Sequence, residues 1–139
     1  MNIAIIPARG GSKRIPEKNI RLFFGKPIIQ YSIVAALKSG LFNRVIVSTD
    51  SNKIADVAVQ CGAEVPFMRP AEISDDFTTI GDVVHHALTY FQTEQISYEY
   101  ACCILATAPF VQTENLRNGL NTIKAEKVAS VFTVTTYPF

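Results

Sequence analysis

Ile3 to Pro7 is an unbroken apolar run, the pattern of a strand covered on both faces, and it predicts a central strand. Ile29, Ile33, Ala36 and Leu37 follow at spacings of three and four, with Gly40 behind them, which predicts a helix over Pro27 to Ser39 closed by a left-handed glycine. Arg44 to Ser48 reads as a second buried strand. Ser51 is placed to cap a helix whose stripe is Ile54, Val57, Ala58 and Cys61, ended by Gly62.

The alternation continues. A short strand is expected at Glu64 to Phe67, closed by Pro66 and Pro70, then a periodic helix on Ile80, Val83, Val84, Ala87, Leu88 and Phe91. Tyr100 to Leu105 reads as the next strand, Thr113 with Glu114 as a helix start before Leu116, Leu120 and Ile123, and Val128 to Val134 as a last β-branched strand. Strands alternating with helices predict right-handed βαβ crossovers. The expected fold is α/β and Rossmann-like, a mostly parallel sheet with helices on both faces and ligands beyond the carboxyl ends of the strands. The last predicted strand runs directly into Thr135 to Phe139 with no covering helix. That ending suggests a truncated polypeptide; the alternative is a small domain with its last strand at an edge.

Composition narrows the class. With 139 residues, 48% apolar, 18% charged, seven glycines and seven prolines, the chain reads as one globular domain over residues 1–139 and not as a disordered or low-complexity segment. No apolar run approaches the roughly 20 residues of a membrane helix. The N-terminus has no pattern of a secretory signal, so the cytoplasm is the expected compartment. Three cysteines, Cys61 and the adjacent Cys102 and Cys103, make neither a disulfide framework nor a zinc spacing and read as buried small hydrophobes. His85-His86 lies mid-helix, where one ring packs and the other meets solvent, and no second ligand pair makes a metal site of it.

The net charge of +1 hides an asymmetry. Residues 1–26 carry Arg9, Lys13, Arg14, Lys18, Arg21 and Lys26 against Glu17 alone, a net of +5, and the remainder carries seven cations against eleven acids, a net of −4. Cations confined to one short stretch suit a small polyanion better than a nucleic acid, which would draw them over a whole face. The stretch Ala8-Arg9-Gly10-Gly11-Ser12-Lys13-Arg14-Ile15-Pro16-Glu17-Lys18-Asn19 reads as a phosphate cradle. Gly10 and Gly11 allow close backbone approach, Ser12 adds a hydroxyl, and Arg9, Lys13 and Lys18 surround anionic oxygens. It is neither a Walker loop nor a dinucleotide fingerprint. Such crowded like charges would repel one another without an anion, and the loop follows the first central strand, where ligands gather in parallel sheets.

The run from Ile6 to Asn19 resembles the signature loop of the CMP-sialic acid synthetases, the acylneuraminate cytidylyltransferases. Val47-Ser48-Thr49-Asp50 and Arg69-Pro70-Ala71-Glu72-Ile73-Ser74-Asp75-Asp76 carry the likeness further. Asn19-Ile20-Arg21, Phe24-Gly25-Lys26-Pro27 and Asp76-Phe77-Thr78-Thr79-Ile80 are most similar to the branch that activates pseudaminic acid. The resemblance spans essentially the whole chain. It implies a nucleotidyltransferase fold and transfer of CMP from CTP to a nonulosonic acid with release of pyrophosphate. It further implies that Arg9, Ser12, Lys13 and Lys18 bind the triphosphate, with Arg9 and Lys18 as the catalytic candidates at the departing pyrophosphate. That role fits phosphoryl chemistry, which needs countercharge and positioning more than a covalent partner. Arg69, Thr78 and Thr79 are implied near cytosine and ribose, and Asn19 near the nucleotide.

Two departures bear on the expectation. Where sialic acid enzymes carry Gln-Pro-Thr-Ser-Pro-Leu-Arg, this chain has Leu105-Ala106-Thr107-Ala108-Pro109-Phe110-Val111. A pocket with Leu105 and Phe110 would suit a deoxy or acetamido-substituted sugar such as pseudaminic acid. Family members also continue further, and the resemblance implies that their Mg²⁺-binding aspartates, much of the sugar-acid site and the homodimer interface lie there. Asp75, Asp76 and Asp82 read as caps and solvated acids, with Asp50 alone worth watching. Two other readings stay open: a non-catalytic CTP-binding module, and an oxidoreductase domain using Asp50 at a ribose, which the long cationic loop argues against.

Overall fold

The computed structural model describes residues 1–136. In chain order its elements are β1 (Asn2–Pro7), β2 (Leu22–Phe23), β3 (Lys26–Pro27), α1 (Ile28–Ser39), β4 (Arg44–Ser48), α2 (Asn52–Gln60), α3 (Ile80–Thr93), β5 (Tyr100–Cys103) and α4 (Thr113–Glu126), with 3-10 turns at Lys18–Ile20 and Ala71–Ile73. The apolar run of β1 is the middle strand of a parallel sheet ordered β4-β1-β5. Ile3 pairs with Arg44 on one side and Ala101 on the other, and Ile5 with Ile46 and Cys103.

Because side chains alternate across a strand, β1 divides its residues between two cores. Ala4 and Ile6 pack with Val45, Val47, Ile29, Ile33, Ile54 and Ala58, beneath α1 and α2. Ile3 and Ile5 pack with Ile46, Ala87 and Phe91, beneath α3. Residues Ile3 to Ile6 are all fully buried, the three isoleucines each worth about 1.5–3 kcal/mol of burial. The mostly parallel α/β sheet covered on both faces is therefore as the alternation predicts. Gly40 closes α1 at φ 66°, and α3 opens with a reciprocal box between Thr79 and Asp82. Among the described residues no helix is long and apolar enough to cross a membrane.

The sheet corrects the sequence in several places. Glu64 to Phe67 forms no continuous strand: single parallel bridges join Ile46 to Glu64 and Thr49 to Met68. The second side holds one residue more than the first, and Pro66 has no N–H to give. Tyr100 to Leu105 is a strand only as far as Cys103, and Leu105 instead presents its carbonyl to Ser32 Oγ at 2.7 Å. Val128 to Val134 is exposed and pairs with no strand among the described residues; β-branched residues hold a strand only where a neighbour and a packed face receive them. Gln112, not Thr113, holds the N-cap of α4, and Ser51 holds that of α2 without a side-chain hydrogen bond. Leu37, placed on the buried stripe of α1, is exposed. Nor are the cysteines all buried. Cys103 is exposed and Cys102 half-buried, because β5 lies at the edge of the described sheet, and Cys61 is half-buried at the C-terminal cap of α2. Burial and the neighbouring Cys103 push the Cys102 thiol up to about 11.

The α3 side of the sheet rests on one large ring, Phe91, at full burial. Phe91→Ala is expected to lower unfolding free energy by about 3–5 kcal/mol, read from the urea midpoint. A loss below about 1 kcal/mol would show that α3 is not held by this core.

Candidate functional site

The cationic loop leaves the carboxyl end of β1 and is fixed at several points. Ala8 N–H continues the ladder to Ser48 O at 2.9 Å. Gly10 N–H donates to Asp50 Oδ1 at 2.8 Å, and a Cβ at Gly10 would stand 2.9 Å from Ser51 Cβ, so only glycine lets the loop lie so close to the turn after β4. Ser12 N–H bonds Gly10 O at 2.9 Å. At the far end Glu17 adopts φ 53° and pairs with Lys53 of α2. The buried Asn19 ties the two limbs together through Nδ2 to Arg9 O at 2.9 Å.

Beside this loop lies a cleft of about 350 Å³ at the carboxyl ends of β1 and β5. Arg9, Lys18 and Asn19 line one wall, Arg69, Asp75, Asp76, Thr78 and Thr79 another, and Leu105, Ala106 and Thr107 a third. Six of the residues singled out in the sequence thus converge: Arg9, Lys18, Asn19, Arg69, Thr78 and Thr79. Gly10, Gly11, Ser12 and Lys13 lie off the wall, and the N–H of Gly10 is already taken by Asp50. Phe110 also stays outside the cleft. It packs edge-on against Phe23 with ring centres 5.9 Å apart, so the apolar pocket expected from Leu105 and Phe110 keeps only Leu105.

Arg69 is the least ordinary group. Its side chain is 3% exposed, its Nε donates to Ser74 Oγ at 3.1 Å, and its Nη2 has no hydrogen-bond partner among the described residues. Asp50 Oδ1 stands 3.7 Å from that nitrogen, near enough for attraction but too far for a hydrogen bond. Burial pulls the Arg69 guanidinium down from its ordinary value; Asp50 opposes this and Arg9 adds to it. A buried donor left unmatched is costly, and here it borders a polar cleft.

Asp76, expected to be a solvated acid, pairs with Arg9 Nη2 at 2.6 Å and with Lys13 Nζ at 2.5 Å. Asp75 adds its backbone oxygen to Arg9, while its carboxylate accepts from Phe77 N–H, Thr78 N–H and Thr78 Oγ. For Arg9 and Lys13 the anion that the crowded cations call for is therefore supplied by the chain itself. The only signal for this in the sequence is the cationic surplus, which does not say which acid answers it. Of the three acids read as caps or solvated, Asp82 does cap α3. His85 is exposed and His86 half-buried against Phe67, ring centres 5.0 Å apart. Among the described residues no three His, Cys, Asp or Glu side chains gather to hold a metal, and Asp50, Asp75 and Asp76 are already engaged. The residues present do not fit a protein-held Mg²⁺.

Three carboxylates are held below the usual range: Asp75 by the Thr78 side chain and backbone, Asp76 by Lys13 and Arg9, and Asp82 by Thr79. Folded values below unfolded ones give stability that is complete above the ordinary carboxylate range and is lost as pH falls through the lowered values. The melting temperature is expected to start falling only below about pH 5, with a shallower acid limb in Asp76→Asn. Identical limbs would remove Asp76 from the account.

The cytidylyltransferase family profile matches residues 3–137. The chain is 41% identical over 138 residues to the pseudaminic acid cytidylyltransferase of Campylobacter jejuni, covering 99% of this chain and 60% of the relative. It is 40% identical to the CMP-N,N'-diacetyllegionaminic acid synthase of Legionella pneumophila, again covering 60% of the relative. The chain thus spans about three-fifths of the length of these relatives. A CMP:2-keto-3-deoxy-manno-octonic acid synthetase solved with CTP superposes with a TM-score of 0.75 over 91% of this chain and 48% of its own, at 21% identity, which speaks to the nucleotidyltransferase fold alone. Motifs, sheet and family profile agree: the chain belongs to the cytidylyltransferase family.

Proposed function

We propose that the cleft binds CTP and that the chain forms the nucleotide-binding part of an enzyme that transfers CMP to a nonulosonic acid of the pseudaminic type. The observation that carries this reading is the convergence of Arg9 and Lys18 on one cleft wall with the unsatisfied, buried Arg69 on the other. In this reading the triphosphate lies against Arg9 and Lys18, with Lys13 at the rim, and displaces Asp76 from Arg9. Arg69 and Thr78 face the nucleoside, and Asn19 holds the loop in register. The anomeric hydroxyl oxygen of the sugar acid attacks the α-phosphorus, the bond to the β-phosphate oxygen breaks, and the hydroxyl proton is released. Charge then accumulates on the departing pyrophosphate, where Arg9 and Lys18 are preorganised to meet it. Leu105 lining the cleft supports a sugar acid with fewer hydroxyls to satisfy. The oxidoreductase reading loses its ribose acid, because Asp50 is held by Gly10 and does not line the cleft.

Calorimetric titration of the chain with CTP, ATP and NAD is expected to show preference for CTP. Lys18→Ala and Arg9→Ala should each weaken CTP about 10- to 100-fold, the range of a charge-assisted hydrogen bond. Preference for NAD would overturn the reading. Pyrophosphate release with CTP, Mg²⁺ and pseudaminic acid separates a transferase from a CTP-binding module, which would bind without turnover.

A further inference from the structure

Asp50 plays no part in the transfer described above, yet its carboxylate reaches both the cationic loop, at Gly10, and Arg69 on the facing wall of the cleft. Its Oδ1 accepts the Gly10 N–H at 2.8 Å and also stands 3.7 Å from Arg69 Nη2. The first contact sets the path of the loop where it departs from β1. It does so at a point where the backbone is pressed against the turn after β4, with space for no side chain at Gly10. The second contact is the nearest countercharge to a guanidinium almost fully removed from water. Arg69 is held to the same turn a second time, by its own N–H donating to Thr49 O at 2.7 Å.

A neutral or missing side chain at position 50 would leave Arg69 buried beside the like charge of Arg9, and a buried unpaired cation is strongly disfavoured. We infer that Asp50 is a positioning residue that locks the cationic loop and Arg69 into one fixed spacing, so that the phosphate and nucleoside ends of the ligand are met together. The inference rests on the reading of the cleft as a CTP site.

The two contacts make different demands, and that separates them experimentally. Asp50→Asn keeps an acceptor for Gly10 N–H but removes the charge beside Arg69; Asp50→Ala removes both. Two ligands probe the halves: CTP spans both walls, and inorganic tripolyphosphate needs the loop alone. Asp50→Asn is expected to weaken CTP about tenfold while leaving tripolyphosphate within about twofold, and Asp50→Ala to weaken both, CTP by about 100-fold. Amide hydrogen exchange at Gly10 should accelerate in Asp50→Ala and stay near the wild-type rate in Asp50→Asn. In an Arg69→Met background Asp50→Asn should cost CTP nothing further, the signature of action through Arg69.

A purely structural role would instead lower the melting temperature of both variants equally and give no graded difference between the two ligands, which would overturn the inference. So would CTP affinities within about twofold of wild type in both. Absence of CTP binding by the wild-type chain would fall on the cleft reading; Gly10 exchange would still decide the loop contact, and an unchanged rate in Asp50→Ala would overturn it.

Discussion

Strand β1 is hydrogen-bonded along both edges and packed on both faces, and this double enclosure governs where everything else lies. A strand in that position admits no polar side chain from Ile3 to Ile6, since no face of it reaches water. It also fixes the point at which the chain emerges. The backbone leaves the core at Pro7 and Ala8, between the ends of β4 and β5, so the charged loop that follows begins in the crevice where a parallel sheet leaves room for a ligand. Parallel pairing with both neighbours requires crossovers over the sheet faces, and these supply α1 and α2 on one side and α3 on the other.

The loop brings a second constraint, that of several cations held close together. The fold answers it with acids drawn from distant segments. Asp76 takes Arg9 and Lys13, and Asp50 takes the backbone of Gly10 and lies near Arg69, while the loop's own Glu17 ties it to Lys53 of α2. Exposed pairs of this kind contribute little to stability. Their consequence is positional: the loop has a defined shape before any ligand arrives, and the carboxylate of Asp76 marks a place where an anionic oxygen is electrostatically welcome. A triphosphate entering the cleft would exchange one set of anionic oxygens for another, with less reorganisation than a disordered basic loop would need.

Arg69 stands apart from those exposed cations because it is buried. Its guanidinium is anchored by Ser74 and its backbone by Thr49, while Nη2 remains unmatched at the edge of the cleft. An apolar residue there would be easier to bury. An arginine with a spare donor instead offers fixed, directional recognition, which is where a planar guanidinium differs most from the mobile lysines of the loop.

The sequence alone determined the alternation of strands and helices, the central place of β1, the cap at Gly40 and the identity of the basic loop. Each follows from local periodicity or from residue types that act within a few positions of themselves. It also marked Arg9, Lys18, Asn19, Arg69 and Thr78, through motifs whose meaning does not depend on distance along the chain. Only the tertiary structure decided that Asp76 pairs with Arg9 and Lys13, that Asp50 lies between Gly10 and Arg69, and that Phe110 turns away to Phe23. It likewise decided that Val128 to Val134 pairs with no strand among the described residues. These are partnerships between residues tens of positions apart, and which acid meets which cation, or which strand finds a neighbour, is settled only when folding brings the segments within a few ångströms.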